Sequence, residues 1–130
     1  VEMQWMMLQQ KKPDDFVIAT GVQHSIREFI NVAAKELNME IKWRGSGENE
    51  TGYATNINGD KKLSEEPVIL VSKKYYRPAE VDTLLGDSQK AYKKLDWKPK
   101  YTFQKLVAEM VSYDLALAEN ERNKKIINIF

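Results

Sequence analysis

Apolar positions along this chain recur with two periods, about three and a half and two, and the changes between them divide it into elements. Val1-Glu2-Met3-Gln4-Trp5-Met6-Met7-Leu8-Gln9-Gln10 reads as a helix already under way, with no capping residue before it. Val1, Trp5 and Leu8 share one face, and the methionines make the segment apolar over most of its circumference. A helix of that kind is buried between other elements, so this one is expected to need a covering surface and the chain to be a fragment of a longer protein. Pro13-Asp14-Asp15 ends it in a turn. Phe16-Val17-Ile18-Ala19, a short apolar run between turn residues, predicts a buried strand.

After a loop at Gly21 to His24, Ser25-Ile26-Arg27-Glu28 forms a capping box: the Ser25 hydroxyl reaches the backbone N–H of Glu28 and the Glu28 side chain reaches back. The helix it opens places Ile26, Phe29, Ile30, Ala33, Ala34 and Leu37 on one face and stops at Asn38. Glu40-Ile41-Lys42-Trp43-Arg44 alternates and predicts a half-buried strand. Residues 45–66 are polar and glycine-rich. Asn58-Gly59 is a hairpin signal between poor strand formers, so the stretch is expected to be a long mobile loop. Pro67 to Val71 is a further strand and Thr83 to Gly86 a short one. Asp87 or Ser88 caps a helix running to about Leu95, where Asp96 takes the left-handed position. Trp97-Lys98-Pro99 breaks the chain, and Thr102 caps a long helix with Phe103, Leu106, Val107, Met110 and Val111 inward. Residues 120–130 are expected to fray.

Composition adds limits. The 130 residues suffice for one domain with a core, and 20 basic against 19 acidic side chains give a net charge of +1. That balance argues against a nucleic-acid partner, which needs clustered positive charge. No apolar run is long enough for a membrane span. The absence of cysteine removes thiolate chemistry and fits a cytoplasmic protein. A single histidine beside it argues against a zinc site.

The candidate chemistry lies in Tyr75-Tyr76-Arg77-Pro78-Ala79-Glu80-Val81-Asp82. Arg77 can hold a phosphate through two parallel charge-assisted bonds, and Glu80 can accept from two neighbouring hydroxyls, as on a ribose. Arg-x-x-Glu thus makes a clamp for one face of a nucleotide; the same spacing also suits a solvated salt bridge. Other patterns carry less. The glycine run Gly45 to Gly52 has the wrong spacing for a dinucleotide loop and follows a strand without opening a helix. Tyr101 and Lys105 have the Tyr-x-x-x-Lys spacing of a dehydrogenase but straddle a helix start, as a packed aromatic beside a solvated lysine. Ser25, next to His24, is accounted for as a cap, with no third group to orient the histidine.

In this order the segments resemble the C-terminal portion of an extended short-chain dehydrogenase/reductase, and most nearly the GDP-mannose 4,6-dehydratase family. Pro13 to Gly21, Ser25 to Phe29, Tyr75 to Asp82 and Leu84 to Asp87 carry the resemblance, which spans roughly residues 1–115. Leu95-Asp96-Trp97 departs from the family's Leu-Gly-Trp, and the loop from Glu48 to Glu66 matches its pattern poorly. The resemblance implies an α/β chain, residues 1–130, forming the substrate-binding region and lacking most of the Rossmann domain, with residues 1–20 packing on that missing part. It implies an NADP-dependent lyase that converts GDP-mannose to GDP-4-keto-6-deoxymannose, taking a hydride from C4 and returning it at C6. It assigns Arg77 to the diphosphate and Glu80 to the ribose, and it places no catalytic, cofactor-binding or metal-binding residue in this chain. NADP and the catalytic residues belong to the absent N-terminal half, so the fragment alone is expected to be inactive, and the whole protein to be a homo-oligomer. Another nucleotide-sugar dehydratase or epimerase, or a non-catalytic nucleotide-binding module, are the alternative readings.

Overall fold

The computed structural model describes residues 1–57, 60–77 and 83–127. Its elements, in chain order, are α1 (Glu2–Leu8), α2 (Ile26–Glu36), β1 (Glu40–Arg44), a 3-10 turn (Gly47–Asn49), β2 (Thr51–Ile57), β3 (Asp60–Leu63), β4 (Ile69–Leu70), α3 (Gln89–Leu95) and α4 (Phe103–Ile127). Composition suggests one domain, but packing divides this α/β chain into two compact units. One comprises Val1–His24 with Glu80–Thr102, the other Ser25–Ala79 with Phe103–Phe130.

In the first unit α1 buries its methionines. Met3, 3% exposed, packs with Ala91 and Leu95 of α3, and Met6, Met7, Phe16 and Trp97 close around them. Unbranched thioether side chains fill such an irregular gap between short helices. The face of Val1, Trp5 and Leu8 is instead turned outward, at 102%, 63% and 81% exposure. The predicted strand at Phe16 to Ala19 is irregular backbone outside any ladder, with Val17 and Ile18 exposed, and so is Thr83 to Gly86. Apolar content places these segments together, but a strand also needs a partner for its amides, and the described residues supply none. The two segments do touch: a Cβ on Gly86 would lie 2.7 Å from the Ala19 Cβ, so only glycine permits the approach.

Asp87 begins α3 by accepting the Gln89 N–H at 2.8 Å, while Ser88 occupies the cap position without a side-chain bond. The helix ends at Asp96, whose φ of 51° and ψ of 29° are left-handed, as its position predicts. Lys90 and Lys94, one turn apart on α3, reach the two carboxylate oxygens of Asp14 at 2.5 and 2.8 Å and tie the helix to the turn after α1.

The second unit starts with the predicted cap: the Ser25 hydroxyl oxygen accepts the Glu28 N–H at 3.1 Å. α2 ends with Asn38 at a φ of 56°, its N–H donating to Lys35 and that of Met39 donating back to Ala34, at 3.0 and 2.9 Å. These two bonds close the helix C-terminus in the Schellman pattern. β1 alternates as expected, Ile41 and Trp43 inward.

The stretch at 45–66 is a correction. It is not a long loop but a turn and two strands: β2 pairs antiparallel with β1 on one side and with β3 and β4 on the other. In β2 Thr51, Tyr53, Thr55 and Ile57 alternate as strand formers, a period that Gly52 and Asn56 obscure, whereas the charged β3 is a weak strand former and pairing with β2 overrides that weakness. A left-handed Asn56, with a φ of 62°, lies where the β2–β3 register shifts. Asn58 and Gly59 lie outside the described residues. Of the run from Pro67 to Val71, only Ile69 and Leu70 enter the sheet.

α4 starts after Thr102, and Phe103 meets Phe29 of α2 with ring centroids 6.4 Å apart. Val107 is buried, and Phe103 and Val111 are half-buried, whereas Leu106 and Met110 keep nearly half their surface in solvent. The expected fraying from 120 is also corrected: α4 continues to Ile127. Charge on an exposed helix does not end it, and no glycine or proline stands between Thr102 and the chain end to do so. Residues 128–130 lie outside the described part.

Candidate functional site

Arg77 owes its position to a turn. After β4 the chain folds at Ser72, whose carbonyl accepts the N–H groups of both Tyr75 and Tyr76 at 3.0 Å. Tyr76 and Arg77 leave that turn in irregular backbone, as expected where the following Pro78 biases its predecessor away from helix. Arg77 is exposed, in agreement with the sequence expectation. Lys73 and Lys74 precede it on the same turn and are exposed too, so three cations fall within five residues, an electrostatic setting suited to an anion. Lys74 Nζ lies 5.3 Å from the centre of the Tyr75 ring. Glu80, the second predicted member of the clamp, lies with Pro78 to Asp82 outside the described residues.

One neighbour of this segment was not legible in the sequence. The Tyr76 phenol lies over Gly47, so that a Cβ built there would be 3.2 Å from Tyr76 Oη and 3.8 Å from Cζ. Gly47 belongs to the β1–β2 connection, which turns on two left-handed glycines, Gly45 at a φ of 77° and Gly47 at 57°. A Cβ on Gly45 would fall 2.4 Å from the Asn49 carbonyl oxygen. The turn is closed by Asn49 N–H to Ser46 and Glu50 N–H to Gly47, both at 3.2 Å. Glu50, its side chain only 17% exposed, is bound by Arg27 of α2. Arg27 in turn lies 5.5 Å from the centre of the Trp43 ring, and Trp43 Nε1 donates to Asn31 at 2.9 Å. The glycine run therefore shapes a turn and opens onto a strand, in keeping with its rejection as a dinucleotide loop.

His24 is half-buried beside the capping serine. Among the described residues no group of three histidine or acidic side chains could hold a metal ion. Tyr101 is 62% exposed rather than packed, and Lys105 is exposed on α4. A cleft of about 560 Å³ beside β1 has Lys35, Asn38, Glu40 and Lys42 in its lining and includes neither Tyr76 nor Arg77.

Architecture and segment thus define an α/β protein with an arginine-bearing turn next to a small antiparallel sheet. The sequence profile described as GDP-mannose 4,6 dehydratase matches residues 1–110, and the chain belongs to that family. It is 50% identical over 129 residues to a GDP-mannose 4,6-dehydratase of Vibrio cholerae, covering 97% of this chain and 35% of that protein. It is 48% identical over 120 residues to a GDP-mannose 4,6 dehydratase of Dictyostelium discoideum, covering 92% and 32%. With the Homo sapiens protein of the same name it shares 45% over 123 residues, covering 95% and 31%. The chain therefore spans about a third of the length of these relatives. Among the described residues no helix is long and apolar enough to cross a membrane.

Proposed function

We propose that this chain is the substrate-binding, C-terminal portion of a GDP-mannose 4,6-dehydratase, an extended short-chain dehydrogenase/reductase. The observation that carries the reading is identity of 45–50% to proteins of that name over more than nine-tenths of the chain. The reaction removes one water from GDP-mannose and leaves GDP-4-keto-6-deoxymannose. Its NADP cofactor supplies hydride acceptance and return within the sugar. The residues described here do not fit that cofactor: their one glycine run is filled by the Asn49 carbonyl and leads into a strand, not a helix. NADP is accordingly assigned to residues outside this chain, as are the catalytic groups, and the whole protein to a cytoplasmic homo-oligomer.

What this chain contributes is the hold on GDP. Arg77 takes the diphosphate and Glu80 the ribose hydroxyls. In the full-length enzyme Arg77→Ala removes a charge-assisted contact worth about 1.5–3 kcal/mol, so the KM for GDP-mannose rises by roughly ten- to a hundredfold. The value of kcat suffers less, because the diphosphate is remote from the reacting sugar carbons. Glu80→Ala weakens binding more modestly, and a nucleotide without ribose hydroxyls binds that variant and the parent equally. Steady-state kinetics with GDP as competitor decide the matter: unchanged KM and GDP inhibition in Arg77→Ala would leave the motif merely structural.

A further inference from the structure

We propose that Tyr76, seated on Gly47, is the positioning residue that sets Arg77 for its anionic ligand. The inference rests on the reading of Arg77 as the diphosphate group. An arginine on irregular backbone holds an anion well only if its starting point is fixed, since every freedom of the backbone adds to that of a long side chain. The Ser72 carbonyl fixes the main chain as far as the Tyr76 N–H. The phenol supplies a further restraint on the residue just before Arg77. Its oxygen approaches Gly47 so closely that a Cβ there would be at 3.2 Å, tighter than ordinary van der Waals contact.

The surface it rests on is built to stay in place. Gly45 and Gly47 adopt left-handed φ values that other residues rarely take, and the turn they open, from Ser46 to Glu50, is closed by two backbone bonds. Glu50, at the end of that turn, is held by Arg27 of α2. Support therefore runs from α2 through Glu50 and the turn to Gly47, then through the Tyr76 ring to the residue next in sequence. This gives the two glycines roles that spacing alone did not reveal: Gly47 makes room for a tyrosine hydroxyl, and Gly45 for the Asn49 carbonyl within the turn.

The test is made in the full-length enzyme with GDP-mannose as substrate and GDP as binding probe. Tyr76→Ala raises the KM and the GDP dissociation constant about five- to tenfold while kcat changes less than about twofold. The double variant Tyr76→Ala/Arg77→Ala is no worse in KM than Arg77→Ala alone, since the two residues act as one unit. Gly47→Ala raises KM by a smaller factor. Adding Tyr76→Phe in that background lowers it again, because loss of the hydroxyl leaves the ring carbon at an ordinary 3.8 Å. Backbone strain at residue 47 alone would show no such recovery. If Arg77→Ala weakens GDP binding and Tyr76→Ala does not, or if the two effects simply multiply, the positioning role is overturned and the assignment of Arg77 stands. If Arg77→Ala has no effect, that assignment falls, and this inference with it.

Discussion

Asp96 shows how a single backbone angle exposes a residue to improvement. It occupies the left-handed position that closes α3, where a Cβ is strained and glycine is not. Asp96→Gly is expected to stabilise the protein by about 0.5–1 kcal/mol, the relief of strain outweighing the extra freedom of the unfolded chain, as urea denaturation will show. Asp14 makes a different case. Its bonds to Lys90, then to Lys94, hold the carboxyl well below the usual carboxylate range. The unfolded chain, with an ordinary aspartate pKa near 4, therefore binds more protons than the folded one below that pH. The stabilisation is complete above the unfolded value and is lost as pH falls through the folded one. Denaturation midpoints of wild type and Asp14→Asn should differ at pH 6 and converge as pH drops below about 4. Added salt should narrow the gap at pH 6, because all three groups are in reach of solvent.

At the scale of the element, α2 is closed at both ends by bonds its own sequence encodes, a serine at the start and a left-handed asparagine after the finish. Ser25→Ala leaves the Glu28 N–H without its acceptor and should cost about 1 kcal/mol in chemical denaturation. α4 depends instead on packing. Val107 is the most buried of its described side chains, 1% exposed, and Val107→Ala should cost about 1–2.5 kcal/mol, more than the same truncation at half-exposed Leu106. The opposite order of the two costs would show that α4 presents a different face to α2. β3 illustrates a third way to form an element: its residues alone do not favour a strand, and it exists because it is paired with β2.

At the scale of the molecule, each of the two units is assembled from separate stretches of chain, and the whole spans about a third of its relatives' length. On the reading proposed above, the catalytic and NADP-binding groups lie outside these residues. The 130-residue chain mixed with GDP-mannose and NADP should therefore form no 4-keto product, by sugar-nucleotide chromatography, while the full-length protein does. Titration of the isolated chain with GDP should show binding much weaker than that of the full-length protein.

The elements written into neighbouring residues were legible from the start. Ser25 and Glu28, the alternation of Glu40 to Arg44, the stop at Asn38, the left-handed Asp96 and the exposed Arg77 each depend on contacts within a few positions. The family was legible for a related reason, since its motifs are short runs of consecutive residues. Contacts between distant stretches were not. The side α1 buries was decided by Ala91 and Leu95 across the unit, the strands within 45–66 by the edges available for pairing, and the seat of Tyr76 by two glycines some thirty positions away in sequence. Local chemistry fixes how a segment bends and where it stops. Which of its faces is covered depends on the shape of what it meets, and that is set only when the chain has folded.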